Sequence, residues 1–89
     1  MENKVCVYAI AKNEAKNVAK WVASMQSADH VIVLDTGSED DTVELLSALG
    51  VEVHQKTYDH FRFDVARNDA MALVPEEYNI LVSTDIDEV

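Results

Sequence analysis

Four short apolar runs, separated by three stretches of helical spacing, set the rhythm of the chain. Val5-Cys6-Val7-Tyr8-Ala9-Ile10 is continuously apolar and rich in β-branched residues, the pattern of a strand covered on both faces. Val31-Ile32-Val33-Leu34 repeats it and ends at Asp35. Val51-Glu52-Val53-His54 alternates instead, which predicts a third strand nearer a sheet edge. Ile80-Leu81-Val82 predicts a fourth strand, buried, which runs through Ser83 and Thr84 into Asp85-Ile86-Asp87-Glu88. Extended side chains repeat every two residues, so Asp85 and Asp87 point the same way at that strand's end.

The intervening stretches read as helices. Ala15, Val18, Ala19, Val22 and Met25 recur at helical spacing, with Lys12, Lys16 and Lys20 on the wet side and Trp21 as the anchor onto the sheet. Asn13 is placed to cap this helix, with Glu14 in its first turn. In the second, Ser38 and Asp41 imitate a capping box, Asp40 and Asp41 load the start with negative charge, Val43, Leu46 and Leu49 form the buried stripe, and Gly50 is the stop. An aromatic-rich loop from Lys56 to Phe63 follows, whose Tyr58, Phe61 and Phe63 are expected to close the core. Asp64 then caps a third helix with Ala66, Ala70 and Leu73 on one stripe and Pro75 beyond its end. Arg67 on that helix reads, on residue type alone, as a surface partner of Asp64 or of Glu-rich neighbours.

Strand and helix in strict alternation predict a three-layer α/β/α domain with a mostly parallel sheet in the order 3-2-1-4, a Rossmann-like half. In such sheets a ligand sits beyond the C-terminal strand ends, where strand order reverses. The lip of that crevice is Ala11 to Glu14, Asp35 to Ser38, and Asp85 with Asp87. Asp85 and Asp87 offer hard oxygen ligands suited to a divalent cation, Mn or Mg, carrying phosphates. Neither a G-x-G-x-x-G nor a G-x-x-x-x-G-K-[ST] motif occurs, which argues against dinucleotide and P-loop chemistry.

Composition narrows the partners. The 89 residues fit a single domain, 1–89, and a net charge of −10 argues against nucleic acid or an anionic membrane surface. There is no apolar run long enough for a membrane span and no signal-peptide pattern at Met1-Glu2-Asn3-Lys4. The one cysteine, Cys6, reads as a buried packing residue, and a reducing, cytoplasmic setting is the expectation. His54 and His60 lack a ligand-like spacing to another His or Cys.

Taken together, Lys12-Asn13-Glu14, Val33-Leu34-Asp35-Thr36-Gly37-Ser38-Glu39-Asp40-Asp41-Thr42, Ala66-Arg67-Asn68 and Asp85-Ile86-Asp87-Glu88 resemble the nucleotide-binding half of family-2 glycosyltransferases of the GT-A fold. The four motifs span nearly the whole chain in the right order. The resemblance implies a nucleoside-diphosphate sugar as partner, with a UDP-sugar as the first expectation. It implies that Asp35 reads the nucleobase, that Asp85 lies near the ribose, and that Asp87 with Asp85 holds the metal on the diphosphate. Ala11, Asn13, Glu14, Gly37 and Arg67 would line the nucleotide pocket. Members of the family carry the acceptor site, and inverting members the general base, downstream of the Asp-x-Asp strand, so the 89 residues are expected to be a truncated, donor-binding piece without turnover of its own. The fourth strand's edge would then lie open, which invites a homodimer. Two other readings stand beside this one. Asp85-Ile86-Asp87 also resembles the D-x-D motif of haloacid-dehalogenase-like phosphatases, with Asp85 as nucleophile and Asp87 as acid/base, and the acids of a non-enzymatic assembly module would serve only solubility.

Overall fold

The computed structural model describes residues 3–25, 27–60, 62–84 and 86. Among these residues seven elements follow one another: β1 (Val5–Ala11), α1 (Ala15–Ser24), β2 (His30–Asp35), α2 (Thr42–Ala48), β3 (Glu52–Gln55), α3 (Phe63–Ala72) and β4 (Ile80–Ser83). All strand pairs are parallel, in the order β3-β2-β1-β4. This is the predicted three-layer architecture. In the register, Ala11 lies beside Asp35, so β1 and β2 deliver their C-terminal ends to one level.

Alternation along β1 divides its side chains between two cores. Val7, Ala9 and Ala11 face the layer of α1 and α2, packing with Val33 and Val51 against Val18, Trp21, Val22 and Leu46. Tyr8 and Ile10 face α3 and meet Leu34, Ala70, Leu73 and Val74. Trp21 and Leu46 are fully buried, and each such side chain contributes about 1.5–3 kcal/mol over its exposed state. Cys6 is buried too, and burial pushes its thiol pKa up, with a smaller contribution from the Glu52 charge. Gly50 ends α2 as expected, at φ +86°. Its amide donates to Ser47 (3.1 Å) and that of Val51 to Leu46 (3.1 Å), the paired bonds of a Schellman motif.

Several local expectations are corrected. Glu14, not Asn13, precedes α1, and its side chain makes no cap bond. Ala19 is exposed because the buried face of α1 is the narrower stripe Val18-Trp21-Val22. On α2 only Leu46 of the expected apolar stripe is buried; Val43 is half-buried and Leu49 is exposed, since a helix this short meets the sheet at a single turn. Asp64 lies inside the first turn of α3, behind Arg62 as the cap residue. Tyr58 is half-buried, whereas Phe61 and the Phe63 side chain lie outside what is described.

The largest departure is β4. All four of its residues are exposed, with Leu81 at 43%. The apolar run forms the expected strand at its expected place in the order, and the departure is in burial: among the described residues it pairs with β1 alone, and its residues stay uncovered. The opposite edge is chemically different: on β3, Glu52 accepts from His30 (2.9 Å) and His54 (2.6 Å), one imidazole on each carboxylate oxygen.

Candidate functional site

The C-terminal ends of β1 and β2 are joined by the loops that leave them. The chain turns out of β1 through Asn13, whose φ of +55° is tolerated because a short amide side chain can bond locally. The Asn13 amide donates to Ser38 Oγ at 2.8 Å, and the Glu39 amide donates to Asn13 Oδ1 at 2.7 Å. The Glu14 amide donates to Thr42 Oγ1 at 2.9 Å and the Ala15 amide to Asp40 Oδ2 at 3.3 Å. The Glu14 and Ala15 amides at the start of α1 are therefore satisfied by Thr42 at the start of α2 and by Asp40 in the loop before it, rather than by a cap of α1's own. Asp40 completes the junction by accepting the Thr42 amide (3.0 Å) and hydroxyl. The Thr42 hydroxyl chiefly, with help from the Thr42 and Ala15 amides, holds the Asp40 carboxyl below its ordinary range.

Asp35 sits at the centre of this junction and is 1% exposed. Its Oδ2 accepts the amides of Gly37 (3.1 Å) and Ser38 (2.9 Å), and its Oδ1 accepts the Ser38 hydroxyl. Gly37 takes φ +120°, a conformation that L side chains rarely adopt, and this lets the turn fold back on the carboxylate. Thr36 ties the turn to β1 through its amide on the Ala11 carbonyl, 2.9 Å.

The β3–α3 loop closes on the same end. The Lys56 amide donates to the Asp35 carbonyl at 2.9 Å, and Thr57 approaches Gly37. Asp69 on α3 accepts Lys56 Nζ (2.9 Å) and Tyr58 Oη (2.7 Å). Those bonds, Lys56 first, hold the Asp69 carboxyl low. Burial, and then the Asp69 bond, push the Tyr58 hydroxyl up to about 12. Tyr58 thus pins the loop to α3. At the end of β4 the Thr84 amide reaches the Tyr8 carbonyl (3.2 Å), Trp21 Nε1 donates to Thr84 Oγ1 (3.1 Å), and Ile86 is buried in the core beneath α1.

Of the residues singled out from sequence, Ala11, Asn13, Glu14, Asp35 and Gly37 come together in this bonded unit. Arg67 lies exposed on α3, and Asp64 pairs with Arg62 at 3.1 Å. Asp85 and Asp87 lie outside the described residues. Among the described residues no group of three or more His, Cys, Asp and Glu is placed to hold a metal ion. Sequence reasoning missed Ser38, Asp40 and Thr42 as the fasteners of the two loops. Their signal was the density of short hydroxyl and carboxylate side chains after Gly37, which bond readily to nearby backbone.

The parallel sheet carries side-chain-locked loops and a buried carboxylate at the end of β2, and the chain belongs to glycosyl transferase family 2, whose family profile matches residues 6–88. That match takes in all four motifs and sets the phosphatase reading aside. Among particular relatives, the chain is 39% identical over 56 residues to an uncharacterized glycosyltransferase of Rickettsia felis, covering 62% of this chain and 20% of that protein. It is also 39% identical over 54 residues to another from Rickettsia conorii, covering 60% and 19%. Its fold superposes on glucosyl-3-phosphoglycerate synthase from Mycobacterium tuberculosis, solved with Mn2+, uridine diphosphate and glucosyl-3-phosphoglycerate, with a TM-score of 0.80 at 25% identity, covering 96% of this chain and 34% of that one. The same synthase with Mn2+, UDP-glucose and phosphoglyceric acid gives a TM-score of 0.72 at 25% identity, covering 96% and 34%. The chain thus spans about a fifth of the curated relatives and a third of the solved enzyme. No helix among the described residues is long and apolar enough to cross a membrane.

Proposed function

We propose that residues 1–89 form the donor-binding part of a glycosyltransferase that takes a nucleoside-diphosphate sugar, a UDP-sugar first among them. The observation that carries this reading is the buried Asp35 held at the level where β1 and β2 end, in a chain whose solved relative binds uridine diphosphate and UDP-glucose. In this reading Asp35 recognises the base. Ala11, Asn13, Glu14 and Gly37 shape the floor and wall of the pocket, Arg67 serves the nucleotide from α3, Asp85 lies near the ribose, and Asp87 with Asp85 holds Mn2+ or Mg2+. Carboxylate oxygens suit either ion. The ion supplies charge neutralisation on the departing nucleoside diphosphate. This chain's own residues bind and orient the nucleotide.

Two further assignments belong to the same reading. The open, uncharged edge of β4 pairs with the β4 edge of a second copy, supported by the exposure of Ile80, Leu81 and Val82. The buried, free Cys6 supports a reducing, cytoplasmic setting.

The experiment is titration calorimetry of the chain with uridine diphosphate and with guanosine diphosphate, each with Mn2+ and with chelator. Mn2+-dependent binding with a preference for uridine is expected. Binding indifferent to both metal and base would overturn the assignment.

A further inference from the structure

We propose that Ser38 gates nucleobase recognition: its hydroxyl occupies the Asp35 oxygen that a base N–H would need, and it turns away when such a base binds. The inference rests on the reading of Asp35 as the base-recognising carboxylate.

The two oxygens of Asp35 are not equivalent. Oδ2 accepts two backbone amides, those of Gly37 and Ser38, and these bonds are the turn itself; they break only if the loop unfolds. Oδ1 accepts the Ser38 hydroxyl, carried on a single rotatable side-chain bond. A carboxylate has acceptor capacity for a further donor, but access is lacking, because Asp35 is 1% exposed. Ser38 is half-buried, less so than Asp35, and its hydroxyl is the donor on Oδ1. The exchangeable contact is therefore the side-chain one. When the hydroxyl turns out, the Asn13 amide that donates to Ser38 Oγ is freed at an exposed residue, where water replaces the lost acceptor.

This arrangement discriminates by chemistry. A uracil ring carries an imino N–H that replaces the hydroxyl on Oδ1, one donor for another. A cytosine ring presents an acceptor nitrogen at that position, which cannot replace the hydroxyl and leaves the gate closed. Opening costs the Ser38 bond, so the gate lowers affinity for the correct base while refusing the wrong one.

The test is calorimetric titration of uridine diphosphate and cytidine diphosphate, with Mn2+, into the wild-type chain, Ser38→Ala and Asp35→Asn, each first checked for folding by circular dichroism. Ser38→Ala is expected to bind the uridine nucleotide about 3- to 10-fold more tightly, the range one net hydrogen bond corresponds to, with cytidine binding unchanged. A merely structural Ser38 moves both nucleotides together. Ser38→Cys, which keeps a side chain of similar shape with a weak donor, is expected to lie between, and it serves in place of the alanine variant should that one not fold. Unchanged or weakened uridine binding in the folded Ser38 variant overturns the gate. Asp35→Asn is expected to lose uridine binding about 10-fold and to erase the preference over cytidine; no effect there overturns the base-recognition reading instead. Absence of binding to every chain overturns the donor site and the gate with it.

Discussion

Replacing Trp21 with Phe separates packing from hydrogen bonding at the junction between α1 and the end of β4. Trp21 is fully buried, and its indole N–H donates to Thr84 Oγ1 at 3.1 Å, one residue before the Asp-x-Asp segment. Trp21→Phe removes the donor and leaves unfilled space in the core; the lost bond is worth about 1 kcal/mol and the cavity about 1–2 kcal/mol more. Thr84→Val keeps the shape but strands a buried indole N–H, which costs about 1–3 kcal/mol. Once the indole is gone that penalty vanishes, so the double variant should be less destabilised than the sum of the single changes by about 1 kcal/mol or more. Urea denaturation of the four chains reads this directly. A domain of this size has about 5–13 kcal/mol in total, and each kcal/mol shifts the melting midpoint by about 4–8 °C. Single effects that add to within about 0.3–0.5 kcal/mol would refute the coupling and leave Trp21 as packing alone.

Gly50→Ala should destabilise the fold by about 1–2 kcal/mol through its left-handed backbone alone, because an added Cβ meets nothing within 4 Å; thermal melting checks it. Glu52 is held below its ordinary pKa by the His54 and then the His30 hydrogen bonds. Its stabilising effect is therefore complete above the unfolded value, about 4.3, and lost as pH falls through the lowered folded value. Because Glu52 is partly exposed, that effect stays below about 1 kcal/mol, and denaturation of wild type and Glu52→Gln across pH 3 to 7 should show the two curves converging at the acid end. Leu81→Lys on the open edge should convert a concentration-dependent dimer into a monomer in light scattering; a wild-type chain that is already monomeric at high concentration refutes the edge dimer. Asp40→Ala should speed amide hydrogen exchange at Ala15 and leave the amides of α3 unchanged.

The strand order and the sorting of helices to two faces were legible because hydrophobic period and right-handed crossovers leave few alternatives for a βαβαβαβ chain. Gly50 was legible because a single local rule governs it. What misled were residues whose partners come from elsewhere in the sequence. Asn13 and Ser38 each have a textual claim to be a cap, yet Asn13 bonds to Glu39 and Ser38 bonds to Asp35 and Asn13, and neither pairing leaves a periodic trace. The place of β4 at the end of the sheet order, and with it an open edge, was legible, whereas its apolar run reads as buried and the exposure of all four residues was not foreseen. Asp35 was found as a carboxylate at a strand end, whereas its burial and its bonds to Gly37 and Ser38 are properties of the folded turn.

The borrowed cap on α1 also has a temporal side. The Ala15 amide finds its acceptor in Asp40, 25 positions further along the chain. During synthesis, α1 emerges before the residues that secure its first turn, and its leading end stays frayed until β2 has paired and the following loop has swung into place. The loop leaving β2 and the opening turn of the first helix are thus completed in one late step. A chain stalled before Asp40 would hold the material of α1 without its anchored start.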